Sequence, residues 1–204
     1  ALLQAGLLCN DSSLKQTGQG WVIEGDPTEG ALLVSAHKAG LDTKLLARSL
    51  PRQDAIPFES QHQFMATLHS DTATGASIVY LKGSMESVLR RCNSLMGSYD
   101  DFPPLDPTVV MSQVEAMAEQ GLRVLAFARL RSPIGIQEIT HDTVAGGLEF
   151  IGLQGMIDPP REEAIRAIAA CRSAGIQVKM ITGDHLATAV AIARKMGLSQ
   201  ASSG

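Results

Sequence analysis

Aromatic side chains make up only 4% of these 204 residues, and no apolar run approaches the ~20 residues that a bilayer-crossing helix needs. The chain opens Ala1-Leu2-Leu3-Gln4 without a positively charged leader, so the expectation is a water-soluble polypeptide. Basic residues form no stripe, and a formal net charge of −4 argues against a general affinity for nucleic acid or anionic membranes. The three cysteines, Cys9, Cys92 and Cys171, are odd in number and widely spaced, which fits reduced thiols rather than a disulfide framework. No two of His37, His62, His69, His141 and His185 stand three or four residues apart beside a carboxylate, so no zinc site is expected. There is no Gly-x-x-x-x-Gly-Lys-Ser/Thr loop and no Gly-x-Gly-x-x-Gly fingerprint, which leaves P-loop and Rossmann chemistry without support.

What is present reads first as an antiparallel sheet flanked by helices. Leu2 to Leu8 is a short apolar helix ended by Asn10-Asp11-Ser12-Ser13, followed by a polar loop and a brief strand, Trp21-Val22-Ile23. Asp26-Pro27-Thr28-Glu29 supplies a capping residue, a proline at the first helical position and an acid three residues after the cap, opening a helix to about Gly40. Ala55 to Phe58, Phe64 to Leu68 and Ile78 to Leu81 read as strands, the last two joined by the polar hairpin loop Ser70 to Gly75. Lys82-Gly83-Ser84 closes the hairpin and opens a helix through Val88 and Leu89. Pro103-Pro104 and Asp106-Pro107 mark a loop before a helix from about Thr108 to Gln120. Two strands follow, Leu122 to Ala128, apolar enough to require burial, and Leu148 to Leu153.

From Asp158 the pattern changes to alternating strand and helix, and the domain boundary is placed there, giving residues 1–157 and 158–204. Pro159 and Pro160 suit a helix entry, and Glu162 and Glu163 complement its positive end. Gly175 stops that helix, Ile176, Val178 and Met180 alternate as a strand, and Thr182-Gly183-Asp184 turns into a second helix. A glycine at such a turn lets backbone N–H groups approach an anion. Taken alone, Thr182 and Asp184 could equally be capping residues.

Gly25-Asp26-Pro27-Thr28-Glu29-Gly30, Pro57-Phe58-Glu59-Ser60, Lys82-Gly83-Ser84-Met85-Glu86, Leu122-Arg123-Val124-Leu125-Ala126, Asp158-Pro159-Pro160-Arg161 and Thr182-Gly183-Asp184 stand in an order and spacing that resembles the cation-transporting P-type ATPases, closest to the calcium and sodium pumps. The resemblance covers nearly the whole chain. It implies a nucleotide-binding domain followed by part of a phosphorylation domain, the latter a haloacid-dehalogenase-like βαβα unit. It implies ATP or ADP as ligand, with Mg2+ in the full-length protein, at the cytoplasmic face of a membrane. By the same resemblance Phe58 matches the residue that stacks on adenine, Glu29 the acid near the adenine amino group, and Lys82 the lysine lining the nucleotide pocket, with Gly83 leaving room beside the backbone. A capping box would also place an acid at Glu29, and both roles stay open. Arg123 matches an arginine directed at the phosphates, where a planar fork suits phosphate oxygens. Asp158 and Arg161 match the hinge, Thr182 and Gly183 the turn receiving the terminal phosphate, and Asp184 an acid organising that turn. Where many relatives carry basic residues after the phenylalanine motif, this chain has Gln61-His62-Gln63, so weak nucleotide binding is expected.

The family's phosphorylated aspartate in Asp-Lys-Thr-Gly-Thr and its magnesium-holding Gly-Asp-Gly-x-Asn-Asp segment do not occur here. The chain is therefore read as a fragment that binds ATP without turning it over, its partners being the phosphorylation, actuator and transmembrane portions of a parent pump; no nucleic acid and no direct membrane contact are expected. Residues after Asp158 lack the strands that would pair with theirs, and that tail is expected to be poorly ordered or covered by a partner. A free-standing phosphatase of the haloacid dehalogenase type needs an Asp-x-Asp nucleophile that is not found. A non-catalytic nucleotide sensor is the remaining alternative.

Overall fold

A computed structural model of the chain describes residues 1–18, 20–97, 101–132, 136–157, 160–182 and 186–198. In chain order the elements are α1 (Leu2–Leu8), β1 (Ser13–Thr17), β2 (Gly20–Glu24), α2 (Pro27–Lys38), α3 (Thr43–Ser49), β3 (Arg52–Glu59), β4 (Phe64–Ser70), β5 (Ser77–Gly83), α4 (Met85–Leu89), β6 (Cys92–Leu95), α5 (Pro107–Glu119), β7 (Arg123–Ser132), β8 (Leu148–Met156), α6 (Glu162–Ser173) and α7 (Leu186–Lys195). They form two compact units, one of Ala1–Pro107 with Leu125–Gln154, the other of Thr108–Val124 with the chain from Gly155 onward. The helix α5, assigned by sequence to the first domain, thus groups with the later residues. No helix among the described residues is long and apolar enough to cross a membrane.

The first unit is built on a mixed sheet of order β3-β4-β5-β7-β8-β6. β3, β4, β5 and β7 pair antiparallel, as the hairpin signals imply, while β6 runs parallel to β8. Both faces of β4 are covered: Phe64, Met65, Ala66, Thr67 and Leu68 have no exposed surface, and Val79, Leu81, Ala126, Phe127 and Ala128 continue that core across β5 and β7. A strand buried on two faces has no polar alternation to keep. On one face α1 lies against β5, where Gln4 Nε2 donates to the Tyr80 hydroxyl at 3.1 Å.

Some local readings needed correction. The polar stretch read as a loop contains β1, paired with β2 from Ser13↔Glu24 to Thr17↔Gly20. This ribbon stands apart from the main sheet and keeps Trp21, Val22 and Ile23 exposed, so its strands carry no inward apolar face to read. α3, also unread, is capped by Asp42, which accepts from the Lys44 and Leu45 amides, but it buries none of its residues. Ile176 to Met180 form no strand. A strand needs a neighbour to satisfy its backbone groups, and among the described residues none pairs with this segment.

His69 illustrates how tightly β4 is enclosed. Its Nδ1–H donates to the Leu50 carbonyl and its Nε2 accepts from the Thr67 hydroxyl, each at 2.9 Å. Burial holds its pKa below the usual 6.5; the Leu50 bond opposes that shift and Arg52 adds to it. As pH falls, the unfolded chain therefore takes up this proton first. Stability should be whole above about pH 6.5 and decline as pH drops from there through the lower folded pKa. Thermal melts at pH 7 and pH 5 should show that decline, and a His69→Asn variant should show a smaller one.

Candidate functional site

The first arm of the site is the entry of α2. Pro27 occupies the first helical position and Asp26 caps it, accepting from the Thr28 amide at 2.8 Å and the Glu29 amide at 3.1 Å. A full capping box would turn the Glu29 carboxylate back to the cap amide. Instead it reaches across to the sheet. Glu29 Oε1 lies 2.5 Å from Lys82 Nζ, while Oε2 accepts from the Asp11 amide and the Ser12 hydroxyl, each at 3.0 Å. Only half of the box forms, and the acid is committed to tertiary bonds. The lysine side chain is 7% exposed and the glutamate 15%, so this is a largely desolvated ion pair.

Lys82 reaches that position through strand register. It pairs with Met65 of β4, and Tyr80, two residues earlier on the same strand, meets α1 through Gln4. Paired and alternate residues share a face, so the ammonium points to the side covered by α1 and α2. The lysine thus lies buried although it stands near the end of its strand.

The second arm is Phe58. Its strand β3 is an edge strand, and the register steps from Ile56↔Ala66 to Glu59↔Phe64, leaving both Pro57 and Phe58 against Met65. That is a β-bulge, a place where an edge strand tolerates proline and re-aims a side chain. Phe58 stays 59% exposed, so its ring is not part of the core. The bulge, Met65 and Lys82 form one row across the sheet, so Phe58 and Lys82 lie two strands apart, about 10 Å between backbones.

Gly83 has a reason of its own. It pairs with Phe64, and a Cβ there would fall 2.9 Å from Phe64 Cα and Cβ and against the Gln63 carbonyl. The chain's own packing demands glycine at this point. Gln63 takes a positive φ of 56°, with its carbonyl accepting from the Ser84 amide at 3.0 Å. His62 packs against His141 with ring centroids 4.3 Å apart and planes inclined by 44°, and approaches Glu59 Oε2 at 3.6 Å.

The remaining predicted residues belong to the second unit or lie outside the described residues. Arg123, the first residue of β7, is exposed and belongs to the second unit. Thr182 is exposed in that unit too, four residues before α7, while Asp158, Gly183 and Asp184 lie outside the described residues. A shallow concavity in the second unit, lined by residues such as Val178, Met180, Ala189 and Ala193, shares no residue with the Phe58 and Lys82 row.

Sequence reading missed the residues that hold Glu29. Asn10-Asp11-Ser12, read only as a helix stop, is knitted to α2. Asn10 Nδ2 donates to the carbonyls of Gly6 and Glu29 at 3.0 Å each, and Ser12 Oγ also reaches the Asp26 carbonyl at 3.3 Å. Arg52 Nη1 lies 2.7 Å from Asp11 Oδ1 and anchors the loop to β3. The neighbouring thiol of Cys9 adds no reactivity, since burial pushes its pKa to about 11 despite the pull of Lys82. Burial likewise raises Cys92 to about 12. Among the described residues no group of His, Cys, Asp and Glu is fit to hold a metal ion.

Comparison with known proteins bears directly on this arrangement. A family model for the P-type ATPase cytoplasmic domain N matches residues 1–163. The chain is 52% identical over 202 residues to the cation-transporting ATPase pma1 of Synechocystis, covering 99% of this chain and 22% of that protein. It is 40% identical over 199 residues to calcium-transporting ATPase 1 of Lactococcus lactis, covering 97% of this chain and 22% of that one. To the sodium/potassium exporting P-type ATPase cta3 of Schizosaccharomyces pombe it is 38% identical over 200 residues, covering 97% and 19%. The chain therefore spans about a fifth of the length of these relatives. The family match runs through both arms of the site, from Glu29 and Phe58 to Lys82, and the chain belongs to the P-type ATPase cytoplasmic N domains.

Proposed function

We propose that this chain is the ATP-binding portion of a cation-transporting P-type ATPase at the cytoplasmic face of a membrane, positioning ATP for phosphoryl transfer to an aspartate beyond these 204 residues. The observation that carries the reading is the exposed Phe58 ring on a bulged edge strand, in one row with the buried Lys82–Glu29 pair. A nucleotide has a flat base and a charged tail. Phe58 offers the base an aromatic shelf, Glu29 accepts from its amino group, and Lys82 and the backbone at Gly83 line the hollow. Arg123 meets the phosphates when the nucleotide-binding and phosphorylation domains close, and Thr182, Gly183 and Asp184 receive the terminal phosphate near the Asp158 hinge. Residues 1–157 form the nucleotide-binding domain, and residues 158–204 belong to a haloacid-dehalogenase-like phosphorylation domain whose other strands lie elsewhere.

Magnesium, implied for the full-length protein, finds no donor set among the described residues, so no step here runs through it. The chemistry left to this chain is binding and orientation. One stacked base and a few polar contacts support an affinity near ~1 mM, about −4 kcal/mol. An NMR titration of the 204-residue chain with ATP should shift the amides of Phe58, Glu29, Lys82 and Gly83, with phosphate release at background. Shifts confined to other residues, or steady turnover, would count against the reading.

A further inference from the structure

We infer that Ser12 is a specificity-determining positioning residue, one that holds the Glu29 carboxylate so that a single acceptor site remains for a donor on the ligand base. The inference rests on the reading above, in which Glu29 faces the amino group of a purine.

A carboxylate offers about four lone-pair sites. Three are taken here: one on Oε1 by the Lys82 ammonium, and two on Oε2 by the Asp11 amide and the Ser12 hydroxyl. The open site is on Oε1, beside the ammonium. An N–H donor satisfies it; a carbonyl oxygen placed there meets the lone pair of an anion and gains nothing. The pocket so arranged favours a base with an exocyclic amine over the same base carrying a carbonyl at that position.

Ser12 is built into this geometry. Its amide donates to Asn10 Oδ1 at 2.9 Å, and its single hydroxyl proton goes to the nearer acceptor, Glu29 Oε2 at 3.0 Å, with the Asp26 carbonyl a longer alternative at 3.3 Å. Gly25, on the facing strand exit, has φ +118°, and a Cβ there would lie 2.9 Å from Ser12 Cβ and 3.0 Å from its Cα. Backbone and side chain of Ser12 are thus seated against the α2 entry by a glycine that leaves them room. The two bonds on Oε2 stop the carboxylate from rotating about its terminal torsion, which is otherwise broad. With the hydroxyl gone, one bond remains on each oxygen, the Asp11 amide on Oε2 and the Lys82 ammonium on Oε1, and the plane of the carboxylate is set less firmly.

The test compares ATP with inosine triphosphate, whose base carries a carbonyl in place of the amine and an N–H in place of the bare adjacent ring nitrogen, on the whole 204-residue chain. Wild type should bind ATP more tightly. Ser12→Ala should weaken ATP about fivefold, the worth of one modest hydrogen bond, while leaving inosine triphosphate unchanged, so that the preference collapses. Ser12→Thr, which keeps the hydroxyl, should restore it. A readout on wild type needs no variant: the Asp11 amide proton, bonded to Glu29, should shift with ATP and stay still with inosine triphosphate. Equal losses for both nucleotides in Ser12→Ala, an unchanged preference, or equal Asp11 shifts would overturn the inference and leave ATP binding standing. Failure of wild type to bind either nucleotide would overturn the proposed function and this inference with it.

Discussion

Phe58→Ala should abolish measurable ATP and ADP binding while leaving the fold as stable as before. Stacking of a base on an aromatic ring is worth roughly 1–3 kcal/mol, so a ligand held at ~1 mM falls to tens of millimolar at the middle of that range, about 30 mM, beyond a practical titration. The stability side of the expectation follows from the geometry. Phe58 is 59% exposed, and its strand is held by backbone pairs on either side of the bulge rather than by that ring. Surface substitutions of this kind change stability by about 0.5 kcal/mol or less. Isothermal or NMR titration beside a urea unfolding curve separates the two. Equal nucleotide affinity in the variant would remove the shelf from the site, and a large loss of stability would show that Phe58 belongs to the core. Phe58→Tyr, which keeps the ring, should bind nearly as wild type.

How much of this was legible depends on whether the signal is local. The entry of α2 was, because a cap, a proline and an acid act within one turn, and Asp26 does accept from two amides of that turn. The hairpin of β4 and β5 was legible too, since a polar loop with Gly75 separates two apolar runs that pair from Phe64↔Gly83 to Ser70↔Ser77. β1 and α3 were not, because neither buries an apolar face. The destination of Glu29 was equally hidden. Its helix position allows a local bond to the cap, but Lys82, 53 residues away, wins the carboxylate, and only the fold brings the two together. For Gly83 the glycine was noticed, but one reason for it was hidden: a Cβ there would meet Phe64 of the neighbouring strand and the Gln63 carbonyl just before it. The expected strand at Ile176 to Met180 fails for the complementary reason. Alternation supplies a face, but it cannot supply the partner strand.

The Glu29–Lys82 pair yields the other large effect, and in it stability and binding should come apart. Lys82→Met removes the ammonium and strands a carboxylate that is 15% exposed. Breaking one side of a buried pair costs about 3–5 kcal/mol. The Asp11 amide and Ser12 hydroxyl still reach Oε2, which favours the lower figure, about 3 kcal/mol. In a chain of this size that corresponds to a melting temperature lower by roughly 10 °C. Glu29→Gln alone should destabilise as well, by leaving Lys82 buried with a neutral partner. The double variant Glu29→Gln, Lys82→Met removes both charges, and replacing a buried pair as a whole is often near neutral, so it should recover most of the lost stability. Nucleotide affinity should not recover, because the acceptor for the base and the lysine of the hollow are both gone. A double variant as unstable as Lys82→Met would show that the two charges do not act as a unit. One that regained stability and ATP affinity together would place the nucleotide away from this pair.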